Sequence, residues 1–213
     1  MADVALGDLV AWLRRFQQLV AENRAYLTEL DAAVGDADHG ANLDRGMSAV
    51  LVKLEETPAA AADELFKRAG MTLVSTVGGA SGPLYGTFFL RLGTALGPES
   101  SVPVPALAVG MRAGLDGVRQ RGRAEAGEKT MVDALAPALD AFDRAAVAGG
   151  PASDAAHGAF AAAEEGRDAT GPLVARKGRA SYLGERSAGH LDPGAASTAL
   201  LFQALDEVLP RRQ

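Results

Sequence analysis

Leu6, Leu9, Val10, Leu13, Phe16, Leu19, Val20, Leu27 and Leu30 recur at helical spacing, with charged and amide residues between them. An apolar stripe of this period can be buried along one face only if the backbone is helical. The spacing predicts one long helix from about residue 5 to residue 29. The same pattern predicts helices over about 42–55, 103–118, 130–148, 152–169 and 194–209. Another starts near Pro58, which suits a first helical turn, and runs to about residue 77. The apolar run Leu84 to Leu96 contains Phe88, Phe89 and Leu92 and fits a buried helix better than a strand. That makes about eight helices. No set of alternating β-branched or aromatic runs with hairpin turns is present, so the chain reads as all-α. Trp12, Met71 and Met111 read as core residues.

Aromatic residues make up only 5% of the 213 residues, and much of the apolar content is alanine. Such a composition favours helices that approach closely through small side chains. With no repeat and no Ser-, Gly- or Pro-rich linker, residues 1–213 read as a single domain. The formal net charge of −6 offers no basic excess for a general nucleic-acid surface. The absence of cysteine excludes disulfides and thiolate metal sites. The start MADVALGDLVAWLRR lacks the basic region and apolar core of a secretory signal, and no apolar run approaches the roughly 18 residues of a membrane span. A cytoplasmic protein without membrane contact is expected.

Four clusters could carry chemistry. In Asp31-Ala-Ala-Val-Gly-Asp36-Ala-Asp38-His39-Gly40, three carboxylates lie within eight residues. They would repel one another unless a hard divalent cation such as Mg²⁺ took their oxygens. Asp36 and Asp38 could point the same way from an extended loop, whereas Asp31 needs the loop to fold back. A solvated acidic turn, with an aspartate capping a helix, fits the same residues. Gly78-Gly79-Ala80-Ser81-Gly82-Pro83 could offer bare N–H groups to a phosphate, or be a tight helix–helix turn. In Gly127-Glu128-Lys129-Thr130-Met131-Val132-Asp133, Thr130 could cap a helix with Asp133 as its partner, or Lys129 and Thr130 could face a nucleotide. The long segment 171–193 gathers Arg176, Lys177, Arg179 and Arg186 around Tyr182 and Leu183, and arginine forks suit phosphate oxygens. Asp192 reads as the cap of the last helix and Pro193 as its first turn. His157 reads as ordinary; His190 stays undecided. No spacing suggests a Ser–His–Asp triad.

GDADHG (35–40), GGASGPLYGTFF (78–89), GEKTMVD (127–133) and KGRASYLGERSAGHLDPGA (177–195) closely resemble, in the same order, the nucleotide-binding L subunits of dihydroxyacetone kinases. The equivalent domain of the fused, ATP-dependent kinases carries them too. This resemblance implies an eight-helix antiparallel barrel with a nucleotide site at one rim and residues 171–193 as a lid. It implies that Asp31, Asp36 and Asp38 hold two Mg²⁺ ions bridging the phosphates of ADP or ATP. His39, Gly40, Asn42, Ser81 and Thr130 would contact phosphate or ribose, and Gly79 and Ala80 would give backbone donors. Gly122 and Met131 would line the adenine site, and Arg179 with Asp192, Pro193 and Gly194 would close over the nucleotide. Phosphoryl transfer needs mainly positioning and charge neutralisation, so no further catalytic group is expected on this chain. The implied partners are a K subunit that holds dihydroxyacetone and an M phosphocarrier of the phosphotransferase system that phosphorylates bound ADP. A transcription regulator and a second copy of the chain are further expected partners. A two-chain ATP-dependent kinase for another small ketose or a sugar phosphate is the alternative.

Overall fold

A computed structural model describes residues 3–209, so the two residues before and the four after lie outside the described part of the expected domain. Nine α-helices occur among the described residues: α1 (Leu6–Glu22), α2 (Arg24–Val34), α3 (His39–Glu56), α4 (Ala62–Thr76), α5 (Ser81–Leu96), α6 (Val104–Gly122), α7 (Val132–Val147), α8 (Ala152–Ala169) and α9 (Pro193–Val208). A 3-10 helix, Arg179–Ser187, lies in the segment expected to be irregular. Two short strands, β1 (Val4–Ala5) and β2 (Ser101–Val102), pair antiparallel with Val4 opposite Val102. None of the described helices is long and apolar enough to cross a membrane.

The expected long first helix is two helices. At Asn23 the backbone leaves helical geometry, with φ −102° and ψ 13°. Its side-chain amide donates to the Leu19 carbonyl at 2.9 Å, an asparagine competing locally with the helix's own bonds. Pro58 does not begin α4, which starts at Ala62. The run Leu84–Leu96 is helical, and α5 begins earlier, at Ser81, so that Gly82 and Pro83 sit in its first turn.

Each helix packs on its neighbour in the chain from α3 through α9, and α9 and α3 both pack on α1, which closes a ring of eight. The remaining helix, α2, lies against α3 and α9. Directions alternate around the ring. The starts of α3, α5, α7 and α9 reach one cavity, as do the ends of α2 and α6. The start of α1 lies at the opposite rim, where the Leu6 N–H donates to the Ser100 carbonyl.

The few aromatic residues are concentrated. Trp12 meets Phe66 edge-on at 5.9 Å, and Phe66 stacks on Phe89 at 5.9 Å, joining α1, α4 and α5. The Trp12 indole N–H donates to the Leu201 carbonyl at 2.8 Å, tying α1 to α9 where the ring closes. Met111 is buried as expected, but Met71 is 59% exposed on the outer face of α4. Helical periodicity marks a residue near the apolar stripe, and at Met71 the stripe has already turned outward.

Small residues let the backbones touch. A β-carbon on Gly70 of α4 would lie 2.7 Å from the Gly86 carbonyl of α5 and 2.9 Å from the Leu90 nitrogen. Neither backbone atom can give way without moving a helix. Gly70→Ala is therefore expected to destabilise the fold by about 1–3 kcal/mol in urea titrations. Gly7→Ala, where nothing lies within 4 Å, is expected to be neutral or stabilising by up to about 1 kcal/mol. Equal effects would contradict the close approach.

Candidate functional site

The cavity at the rim has a volume of about 410 Å³, within the usual range for small-ligand sites. Its acidic wall is built where α2 ends and α3 begins. Asp31, in the last turn of α2, is buried, and one of its carboxylate oxygens accepts the N–H groups of Asp38 at 2.8 Å and His39 at 3.1 Å. The loop thus folds back as the spacing of the aspartates requires. Gly35 makes room for this, since a β-carbon there would lie 2.1 Å from an Asp31 carboxylate oxygen. One carboxylate oxygen from each of Asp31, Asp36 and Asp38 lies within 4.8 Å of the others. An all-oxygen donor set this compact suits a hard cation such as Mg²⁺.

The opposite sign is supplied by the backbone. Gly79–Ser81 at the start of α5, Thr130–Val132 at the start of α7 and Asp192–Gly194 at the start of α9 line the cavity together with His39 of α3. Four helix N-termini therefore face one volume, and their positive dipole ends favour an anion, although Asp31, Asp133 and Asp192 already accept several of the N–H groups at the starts of α3, α7 and α9.

His39 is fixed between Ser81 and Ser197. Nδ1 lies 2.9 Å from the Ser81 hydroxyl and Nε2 lies 2.9 Å from that of Ser197. The Ser197 hydroxyl also lies 3.1 Å from the Gly194 carbonyl and 2.7 Å from the Tyr85 hydroxyl. Both ring nitrogens therefore have a hydroxyl partner, and either tautomer satisfies them. Ser81 also lines the cavity, so its hydroxyl reaches both His39 and the cavity. Burial lowers the His39 pKa against the pull of Asp31 and Asp38, and burial pushes that of Tyr85 up to about 12.

The fourth expected cluster closes the mouth. Arg179 makes an ion pair with Asp36 at 3.0 Å, so this lid arginine has a counter-charge of its own. Asp133 accepts the Thr130 N–H at 2.7 Å, and Thr130 accepts that of Val132 at 3.2 Å, which is the capping pair read from the sequence. Asp192 caps α9 by accepting the Ala195 N–H at 2.7 Å. Lys129, a candidate nucleotide contact, lines the cavity, but it is buried and its ammonium is on the carbonyls of Thr170, Gly171, Leu173 and His190. Burial lowers its pKa, with Asp192 acting in the other direction.

Of the residues expected at the site, Gly122, Met131, Arg179 and Pro193 line the cavity with those already named. Gly40 and Asn42 are not on its wall: Gly40 sits where a β-carbon would meet the Arg24 carbonyl at 2.3 Å, and Asn42 accepts from Arg45 at 2.7 Å. On the apolar side of the cavity, made by Val34, Leu84, Val118, Ala124 and Ala180, only Leu84 and Ala180 fall within the four motifs. Ser197 and Thr198 were also missed, although two adjacent hydroxyls inside an otherwise apolar helix are a readable signal. His157 is surface-exposed and paired with Asp206 at 3.2 Å.

Residues 33–207 match the family described as the DAK2 domain. The chain is similar to the ADP-binding subunit DhaL of PEP-dependent dihydroxyacetone kinase 1 of Listeria innocua, with 46% identity over 194 residues that cover 91% of this chain and 92% of that one. It is 44% identical over 198 residues to the corresponding ADP-binding subunit DhaL of Escherichia coli, covering 93% and 94% of the two chains. Its fold superimposes on the crystal structure of the dihydroxyacetone kinase from C. freundii in complex with AMP-PNP and Mg²⁺, with a TM-score of 0.73 and 27% identity over 97% of this chain and 34% of that chain.

Asp192 has its pKa raised to about 7. Burial is the main cause, the Ala195 N–H opposes it, and Asp133 adds to it. Between the ordinary carboxylate value of 3.8 and about 7, the folded protein holds this proton more tightly than the unfolded chain. The stability it contributes is thus complete below the first value and lost as pH rises through the second. Asp192→Asn keeps an acceptor for the cap and removes the titration. Urea unfolding of the ligand-free protein should show this variant gaining on the wild type between pH 5 and pH 8. A constant difference would disprove the linkage. Asp192→Ala should lie about 1 kcal/mol below Asp192→Asn at any pH, since neither side chain titrates and only the first lacks the cap.

Proposed function

The chain belongs to the DAK2 domain family, and we propose that it is the ADP-binding subunit of a dihydroxyacetone kinase, a phosphotransferase that acts only together with partner subunits. One observation supports this above the others. Three carboxylates and four helix N-termini face the same cavity. The carboxylates favour a cation and the helix ends an anion, and a magnesium–polyphosphate satisfies both in one ligand.

On this reading Asp31, Asp36 and Asp38 hold magnesium, as two ions. The bound magnesium nucleotide supplies the transferable phosphoryl group and the charge neutralisation that phosphoryl transfer needs. The chain's own residues position it. The N–H groups at the start of α5 face the phosphates, and the start of α9 adds its dipole. Ser81, held by His39, presents its hydroxyl to the ligand. Leu84, Val118, Gly122 and Met131 exclude water from the base. With Asp36 holding the cation, Arg179 would be free to pair with a phosphate oxygen.

The proposed partners are a K-type subunit that holds dihydroxyacetone and a phosphocarrier of the phosphotransferase system, both in the cytoplasm. The relatives, PEP-dependent kinases with a separate ADP-binding subunit, support this over free ATP as donor.

The test is calorimetric titration of nucleotide-stripped protein with Mg-ADP, with an expected stoichiometry of about one nucleotide per chain. Absence of binding would remove the proposal. Asp36→Asn is expected to weaken Mg-ADP binding on the order of tenfold or more, because a charge-assisted contact is worth about 1.5–3 kcal/mol. Unchanged affinity would remove Asp36 from the ligand set. Dihydroxyacetone phosphate should form only when K subunit and phosphocarrier are both supplied.

A further inference from the structure

Lys129 is the one lysine or arginine buried among the described residues. Its ammonium donates to the carbonyls of Thr170 at 2.7 Å, Leu173 at 3.0 Å and Gly171 at 3.2 Å, and also to that of His190. Three protons meet four acceptors, so the charge sits in a cup of carbonyl dipoles with no carboxylate bonded to it. A compact ammonium fits such a cup, whereas a planar guanidinium fork does not.

The positions of the four acceptors in the chain matter most. Three lie where the segment 170–193 leaves α8, and the fourth lies just before it enters α9. Both ends of this strap are thus tied to one atom. Neighbouring bonds continue the tie: the Arg176 N–H donates to the Glu128 carbonyl at 3.1 Å, the Gly189 N–H to the Gly171 carbonyl at 2.8 Å, and the Asp192 N–H to the Thr170 hydroxyl at 3.0 Å. Lys129 itself adopts a left-handed backbone, with φ +63°, which β-carbon residues adopt only when their surroundings enforce it. The same turn carries Thr130 and Met131 on the cavity wall.

We propose that Lys129 is the positioning residue of the nucleotide site: its ammonium sets the distance between the Thr130–Met131 wall and the strap that delivers Arg179 and the Asp192–Gly194 turn. This role rests on reading the cavity as a nucleotide site. Lys129 lines the cavity, but its ammonium is engaged by the strap's carbonyls, and it acts through the strap. The acidic loop is carried by α2 and α3 and meets the strap through the Asp36–Arg179 pair.

The test compares wild type, Lys129→Met, Lys129→Gln, Arg179→Ala and the double variant Lys129→Met/Arg179→Ala, by hydrogen exchange without ligand and by Mg-ADP titration. Lys129→Met is expected to speed exchange of the Ala175, Ala188 and Gly189 amides and leave α1 and α5 amides unchanged. It should weaken Mg-ADP about ten- to a hundredfold, the scale of losing hydrogen bonds to a charged group. Lys129→Gln, which retains two N–H donors, should fall between. On the Arg179→Ala background Lys129→Met should cost clearly less than alone, because both act through one strap. Full additivity with Arg179→Ala would overturn the proposal, as would equal loss of protection in strap and core, or an unchanged strap. If wild-type protein fails to bind Mg-ADP, the nucleotide reading falls and this role with it. If wild type binds and Lys129→Met binds equally well, the role alone falls.

Discussion

The alternating direction of the helices in a closed ring is the constraint on which the rim depends. With eight helices running up and down, every second one starts at the same end, and α3, α5, α7 and α9 do so around one cavity. A single helix N-terminus is a weak site for an anion, and its effect fades within a turn. Four of them around about 410 Å³ act on the same volume. The same alternation ends α2 beside the start of α3. There Asp31 accepts two of the N–H groups that open α3 while its carboxylate stays within reach of Asp36 and Asp38. The acidic loop and the positive helix ends are therefore consequences of one topology.

Buried polar groups hold this rim in register, as aromatic packing holds the middle of the ring. His39 joins α3, α5 and α9 through Ser81 and Ser197. Lys129 joins the turn before α7 to both ends of the strap. Each is satisfied from several segments at once, so moving any one segment would leave a buried polar group unpaired, at a cost of about 1–3 kcal/mol. The Asp36–Arg179 pair at the mouth is different. Its arginine side chain is 67% exposed, so the pair is screened by solvent and can exchange partners.

Sequence reasoning worked where the cause was local. Asp192 as the cap of α9 and the Thr130–Asp133 pair before α7 follow from side-chain reach over three residues. The grouping of Asp31, Asp36 and Asp38 needed only the loop to fold back. It went astray where the cause was remote. Nothing in the apolar stripe announces the break at Asn23, and Met71 fits the period yet faces solvent because no helix covers that side of α4. Lys129 looked like a ligand contact, because a lysine beside a threonine in a glycine-rich turn gives no hint that four carbonyls from 41 and more residues away will enclose it.

The sequence by itself determined that the chain is helical, that its helices pack through small side chains, and that it carries three close carboxylates and four motifs of the DAK2 family. These depend on period, propensity and spacing, which act over a few residues. Only the tertiary structure decided that the four motifs meet at one rim, that His39 is held between Ser81 and Ser197, and that Lys129 secures the strap. Those outcomes depend on which helix end faces which, and ring closure fixes that through contacts nearly the whole chain apart, such as Trp12 with Leu201.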